Sequence, residues 1–188
     1  MMENFNVSEK YRKYLIELQF ESLNVYTVWG TDMKDDEIDK LLVKKDKLIA
    51  YKNIDVVTKS LKEVRHPFLD SENFNNWVIE EGFRKVYNVN DFRLLSNFSL
   101  HMLIDRSIYL EILNCINLVQ DFFTQIEDGA LDSFFETRSI IDLKDFIYNN
   151  YFWKKEDTSI KFEDLNGPVV VRQVKELYNV FFKHIQIM

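Results

Sequence analysis

The chain has 188 residues, with 31 Asp or Glu against 24 Lys or Arg and a formal charge of −7, and aromatic side chains make up 15% of it. That length suits a single domain with a substantial core. The lone cysteine, Cys115, excludes an internal disulfide and a multi-cysteine metal site. No apolar run approaches the ~20 residues that span a bilayer, and the opening lacks the basic start and apolar stretch of a secretory signal, so a cytoplasmic protein off the membrane is expected.

The charge is uneven. Residues 1–65 balance twelve Lys or Arg against twelve Asp or Glu, whereas residues 66–164 hold nine against eighteen. An acidic chain without a basic arm lacks the cations that neutralise phosphates, which argues against direct nucleic-acid binding.

Taken in order, Lys13 to Phe20 alternates Tyr14, Ile16, Leu18 and Phe20 with Leu15, Glu17 and Gln19, the pattern of a half-buried strand. Val25 to Trp29 is β-branched and aromatic, and the short link Glu21–Asn24 fits a hairpin. Gly30 and Thr31 should end that strand. In the next stretch, Asp35, Asp36 and Glu37 precede Ile38, Leu41 and Leu42, the order expected of carboxylates at the positive end of a short helix over 32–42. A calcium loop would need a glycine at its sharp turn, and Met33, Lys34 and Lys40 stand where oxygen ligands would alternate. No metal is expected here. Leu48 to Tyr51 reads as a third strand, followed by a helix carrying Ile54, Val57, Leu61 and Val64 behind a cap at Asn53 or Asp55, with His66-Pro67 after its end.

Phe74, Trp77 and Val78 predict a short helix closing at Gly82, with Glu80 and Glu81 on a solvated face. A brief extended piece at Val86-Tyr87 comes next, then a helix from Asn90 or Asp91 burying Phe92 and Leu95. Ile108, Ile112, Cys115, Ile116, Val119, Phe122, Phe123 and Ile126 recur at helical spacing within the most strongly patterned stretch, Leu94 to Gly129, and predict a long, mostly buried helix. Further helices are expected at Leu131–Phe135, from Asp142, and after Asn166-Gly167-Pro168, the last running through Val174, Leu177, Phe181 and Ile185. Strands first and helices after predict an α+β fold. A small, mainly antiparallel sheet from residues 1–65 should pack against a helical half, 66–188, in one domain spanning 1–188.

Chemistry-bearing motifs are few. Four separated glycines give no phosphate-cradling loop, and three histidines with one cysteine show no zinc spacing, so neither a cofactor nor a metal is expected. His101 and Asp105 stand four residues apart, and His66 is the other candidate base for a hydrolase or transferase working with carboxylates. From Asp121 to Glu136 the chain carries Asp121, Glu127, Asp128, Asp132 and Glu136 against no Lys or Arg, a local negative field suited to a basic partner.

The hairpin, the strand-helix stretch Leu48–Asp55, the helix Ile112–Phe123 and the segment Asp142–Tyr148 together resemble small bacterial immunity proteins of contact-dependent toxin systems. The resemblance implies a non-enzymatic cytoplasmic inhibitor that binds one cognate toxin, often a nuclease with a basic active site. Such proteins share no universal motif, so no site residue carries over.

Overall fold

Among the residues the computed structural model describes (3–62, 66–126, 133–153 and 162–188), the strands gather toward the N-terminus and the helices toward the C-terminus. The chain divides into two compact units, residues 1–90 with 184–188, and residues 91–183. The helix at 71–80 therefore belongs with the strands, whereas the sequence placed it in the helical half.

In the first unit, helix α1 (Glu3–Tyr11) turns into strand β1 (Lys13–Gln19) through one residue, Arg12, which takes the left-handed conformation at φ 50°. Strand β2 (Asn24–Asp32) pairs antiparallel with β1, setting Tyr14 opposite Trp29 and Leu18 opposite Val25. The alternation in β1 does not leave a wet face. Leu15 enters a core with Val28, Phe74 and Trp77, while on the other face Tyr14 packs on Trp29 at 5.3 Å and on Tyr87 at 4.4 Å. Gly30 does not end β2 but lets two backbones meet, since a Cβ there would lie 2.5 Å from the Arg12 carbonyl oxygen.

The helix expected over 32–42 is not formed. The chain turns instead through Asp36 and Glu37, both at positive φ, into strand β3 (Ile38–Leu41), which pairs antiparallel with β2. Of the acids that resemble a helix start, Asp35 binds Lys40 and Glu37 binds Arg12, while the flanking Asp32 also binds Lys40 and Asp39 accepts from the Thr31 hydroxyl. Strands β4 (Val43–Lys44) and β5 (Lys47–Ala50) form a hairpin whose two turn residues, Lys45 and Asp46, both have positive φ, as a type I′ turn requires. Helix α2 (Ile54–Leu61) begins as predicted, with the Asn53 side chain accepting from Val56 N at 3.0 Å. Helix α3 (Ser71–Glu80) buries Phe74, Trp77 and Val78 and is followed by Gly82 at φ 67°. Strand β6 (Asn88–Asp91) completes the order β3-β2-β1-β6. Strand β7 (Ile185–Ile187) joins β5 in parallel, where the sequence pattern extended a helix through Ile185.

The second unit is helical. After the short α4 (Arg93–Ser96) and a 3₁₀ turn at Leu100–Ile104, helix α5 (Arg106–Ile126) buries Ile112, Cys115, Ile116, Val119, Phe122 and Phe123, as the stripe predicts. Helix α6 (Arg138–Ile147) starts four residues before Asp142, and α7 (Gly167–Lys183) opens at the Gly-Pro punctuation. Phe181 of α7 stacks on Phe92 at 5.0 Å and meets Phe122 edge-on at 5.5 Å, so aromatic packing joins α7 to α5.

Candidate functional site

The chemical singularity of the first unit is a buried ionic cluster. Lys13 opens β1 with an ammonium that is 0% exposed, 2.8 Å from Asp70, which is 2% exposed. It also donates to the Thr31 carbonyl and lies 4.9 Å over the Phe68 ring. Asp32, at the end of β2, takes Lys40 at 2.9 Å, and Lys40 also reaches Asp35 at 2.6 Å. Ionic groups this deep survive only when paired and hydrogen-bonded.

The two aspartates clamp each other's segments. Asp32 accepts from the backbone N–H groups of Leu69 at 2.6 Å, Asp70 at 3.2 Å and Lys34 at 3.1 Å, while Asp70 Oδ2 accepts from Met33 N at 3.1 Å and Asn73 Nδ2 at 3.0 Å. Burial pushes the Asp32 carboxyl up, but Lys40 and the backbone donors outweigh it and hold Asp32 below the ordinary carboxylate range. Burial also works against the Lys40 charge, and Asp35 and Asp32 more than offset it, so Lys40 is raised.

A cavity of about 340 Å³ opens beside this clamp, lined by Met33, Lys34, Asp70, Glu72, Asn73 and Asn76. Asp70 Oδ1 has no hydrogen-bond partner. A second cleft, of about 470 Å³, is lined by His66, Pro67, Phe68, Leu69, Ser71 and Asn75 among others. Nothing in the sequence marks Lys13 or Asp70: Lys13 follows Arg12, Asp70 stands before Ser71-Glu72 like an ordinary surface acid, and their pairing spans 57 residues.

The candidate base His66 stacks on Phe74 at 3.9 Å between ring centroids, and its Nδ1 is buried without a partner. Burial lowers its pKa, opposed by the nearby Asp70 charge, and among the described residues no carboxylate hydrogen-bonds it. His101 is exposed on the 3₁₀ turn, and Asp105 binds not His101 but the Ser107 N–H at 2.9 Å and hydroxyl at 2.7 Å, at the start of α5. Asp105 therefore serves the start of α5, and its spacing from His101 builds no acid–base pair. Glu80 binds Lys10 and Tyr11. Glu81 is not solvated: it is buried, accepts from the Ser8 hydroxyl at 3.0 Å, and its pKa is raised by that burial.

Of the acids read as a partner-binding face, Asp121 is half-buried on α5 and Glu136 is exposed. Glu127, Asp128 and Asp132 lie outside the described residues. Cys115 is fully buried, and burial raises its thiol well above the usual range. Among the described residues, no group of three or more His, Cys, Asp or Glu is placed to hold a metal ion, and no helix is long and apolar enough to cross a membrane.

Fold and site together define an α+β protein whose distinguishing chemistry is a buried ion cluster beside an acceptor-rich cavity. No protein-family model matches the sequence, and no curated protein matches it significantly. A solved structure described as the SatS C-terminal domain in complex with bromine shares the fold, with a TM-score of 0.66 and 14% identity over 96% of each chain. At that identity the likeness concerns the fold alone.

Proposed function

We propose that the chain is a non-enzymatic binding protein for a basic protein partner, most concretely an immunity-type inhibitor that neutralises a cognate bacterial toxin. The observation carrying this reading is the run from Asp121 to Glu136, five acids with no Lys or Arg. Like charges without interleaved cations sum to a field that steers an oppositely charged surface and raises the association rate. Support also comes from the two candidate bases: one imidazole is stacked in aromatic surroundings and the other stands on the surface with its neighbouring carboxylate turned away.

Co-expression tests the proposal. The product of the gene immediately upstream, expressed alone in a bacterial host, should arrest growth, and this chain should restore growth while co-purifying with that product as a stoichiometric complex. Growth arrest that this chain does not relieve, or an upstream product without toxicity, would contradict the reading.

A further inference from the structure

We propose that helix α1 is a proton-controlled strap: it is held over the C-terminal end of α3 while the Glu81 carboxyl beneath it is protonated, and it lifts when that carboxyl ionises. The contacts of α1 divide into a fixed foot and a releasable body. At the foot, the Tyr11 ring is buried in the core with Trp77 and Phe83, its carbonyl accepts from Asn73 Nδ2 at 2.9 Å, and the Arg12 carbonyl accepts from Thr31 N at 2.9 Å. Arg12, at φ 50°, makes the whole reversal from helix to strand, so α1 pivots about one residue while β1 keeps its pairing. Along the body, Lys10 pairs with Glu80 at 2.9 Å, and Glu9 accepts from the hydroxyls of Tyr87 at 2.6 Å and Tyr14 at 3.3 Å. Glu9, Lys10, Glu80 and Tyr87 are exposed, so water replaces most of these contacts at little cost.

Ser8 is different. It is 3% exposed, its hydroxyl donates to Glu81 Oε2 at 3.0 Å, and the Trp77 indole N–H reaches its oxygen at 3.4 Å. Glu81 is 5% exposed, and among the described residues it has no ion pair; Lys85 lends it a favourable charge without pairing. A buried carboxylate whose donors are a hydroxyl and an indole is poorly compensated, whereas the protonated acid carries no charge to compensate. Burial accordingly raises the Glu81 pKa, against the Ser8 and Trp77 hydrogen bonds and the Lys85 charge. A carboxyl that binds its proton more tightly under α1 than in water favours the docked helix at low pH. That contribution is lost as pH rises from the exposed-glutamate value of about 4.3 through the raised one. Once ionised, the carboxylate regains its hydration only where α1 no longer covers it. The other groups along α1 do not change charge in this range. Hydrogen bonds from Tyr11 and Lys10 lower the Glu80 pKa, and the Tyr87 hydroxyl, bonded to Glu9, is pushed up to about 12.

Amide hydrogen exchange of the full chain, followed by NMR from about pH 4 to about pH 8 with each rate divided by the unstructured-peptide rate at that pH, tests the strap. The amides of Ser8 to Tyr11 should lose protection several-fold as pH rises, in step with the titration of the Glu81 carboxyl carbon, while those of Ile16 and Leu18 in β1 keep theirs. Glu81→Gln retains an acceptor for Ser8 and removes the proton equilibrium, so α1 should stay equally protected across the range. Glu80→Gln, which removes the charge that Lys10 pairs with, should leave the pH dependence in place. Protection of α1 that does not change with pH would overturn the strap. So would a pH dependence that survives Glu81→Gln, which would place the titration on His66 or another group, or one abolished by Glu80→Gln instead. Loss of protection in β1 together with α1 would replace the strap with opening of the whole unit and overturn it as well.

Discussion

Replacing Lys13 by Met removes a buried ammonium but keeps an unbranched side chain of similar reach. The Asp70 carboxylate would then stay in the interior with Met33 N and Asn73 Nδ2 as donors but no counter-charge, and the Thr31 carbonyl would lose its donor. Removing one member of a buried pair costs about 3–5 kcal/mol, a large share of the ~5–15 kcal/mol that holds a domain together. Urea denaturation followed by fluorescence of Trp77, which sits fully buried in the same unit, reads the loss directly. Asp70→Asn should cost a similar amount by stranding Lys13. The double variant should cost less than the sum by at least ~2 kcal/mol, because each single change leaves a charge that the other removes. A Lys13→Met variant within ~1 kcal/mol of the parent, or costs that simply add, would refute the view that this pair is a coupled, desolvated unit.

Asp32 carries the acid sensitivity of the same cluster. Its folded-state pKa is depressed, so its contribution is present above the ordinary carboxylate value near 3.9 and is lost as pH falls through the lower folded value; Asp32→Asn should flatten the decline of stability below about pH 4, measured by denaturation at stepped pH. His66 titrates in the other direction of occupancy: burial lowers its pKa, so its NMR titration midpoint should fall below ~6.5, and a midpoint above that value would contradict the buried stack on Phe74. Cys115 should resist a thiol reagent in the native protein and react on unfolding, and fast native labelling would contradict its burial in α5. Gly30→Ala should destabilise the β1–β2 pairing by more than ~2 kcal/mol because the new methyl meets Arg12 backbone oxygen and Lys13 Cα, both unable to swing aside; a near-neutral effect in the same urea assay would count against the close approach.

Periodicity made the larger elements legible. The alternation of β1, the β-branched run of β2 and the long apolar stripe of α5 each report a local pattern that burial enforces, and the Asn53 cap and the Gly-Pro opening of α7 are local chemistry. What stayed hidden is non-local. Asp35, Asp36 and Glu37 ahead of Ile38 and Leu41 look like a helix start, but the pairing of Ile38–Leu41 with β2 decides the outcome, and two left-handed residues turn the chain to reach it. Ile185 continues the helical spacing of α7, yet parallel pairing with Leu48, far away in sequence, draws it into a strand. The ion cluster was invisible for the same reason: strand residue Lys13 and cap-position residue Asp70 carry no shared spacing, and only the fold brings them within 2.8 Å. The partner face read from 121–136 rests on composition, with Asp121 and Glu136 the members whose placement is described.

Recognition of a basic partner through an acidic field stands or falls on association kinetics. The rate of complex formation with the upstream gene product should be measured by stopped-flow fluorescence across a salt series, for the parent chain and for Asp128→Lys combined with Asp132→Lys. The parent's association rate should fall steeply with salt, and the charge-reversed variant should associate about tenfold or more slowly and with a flatter salt dependence. A rate and a salt dependence unchanged by the reversal would contradict it.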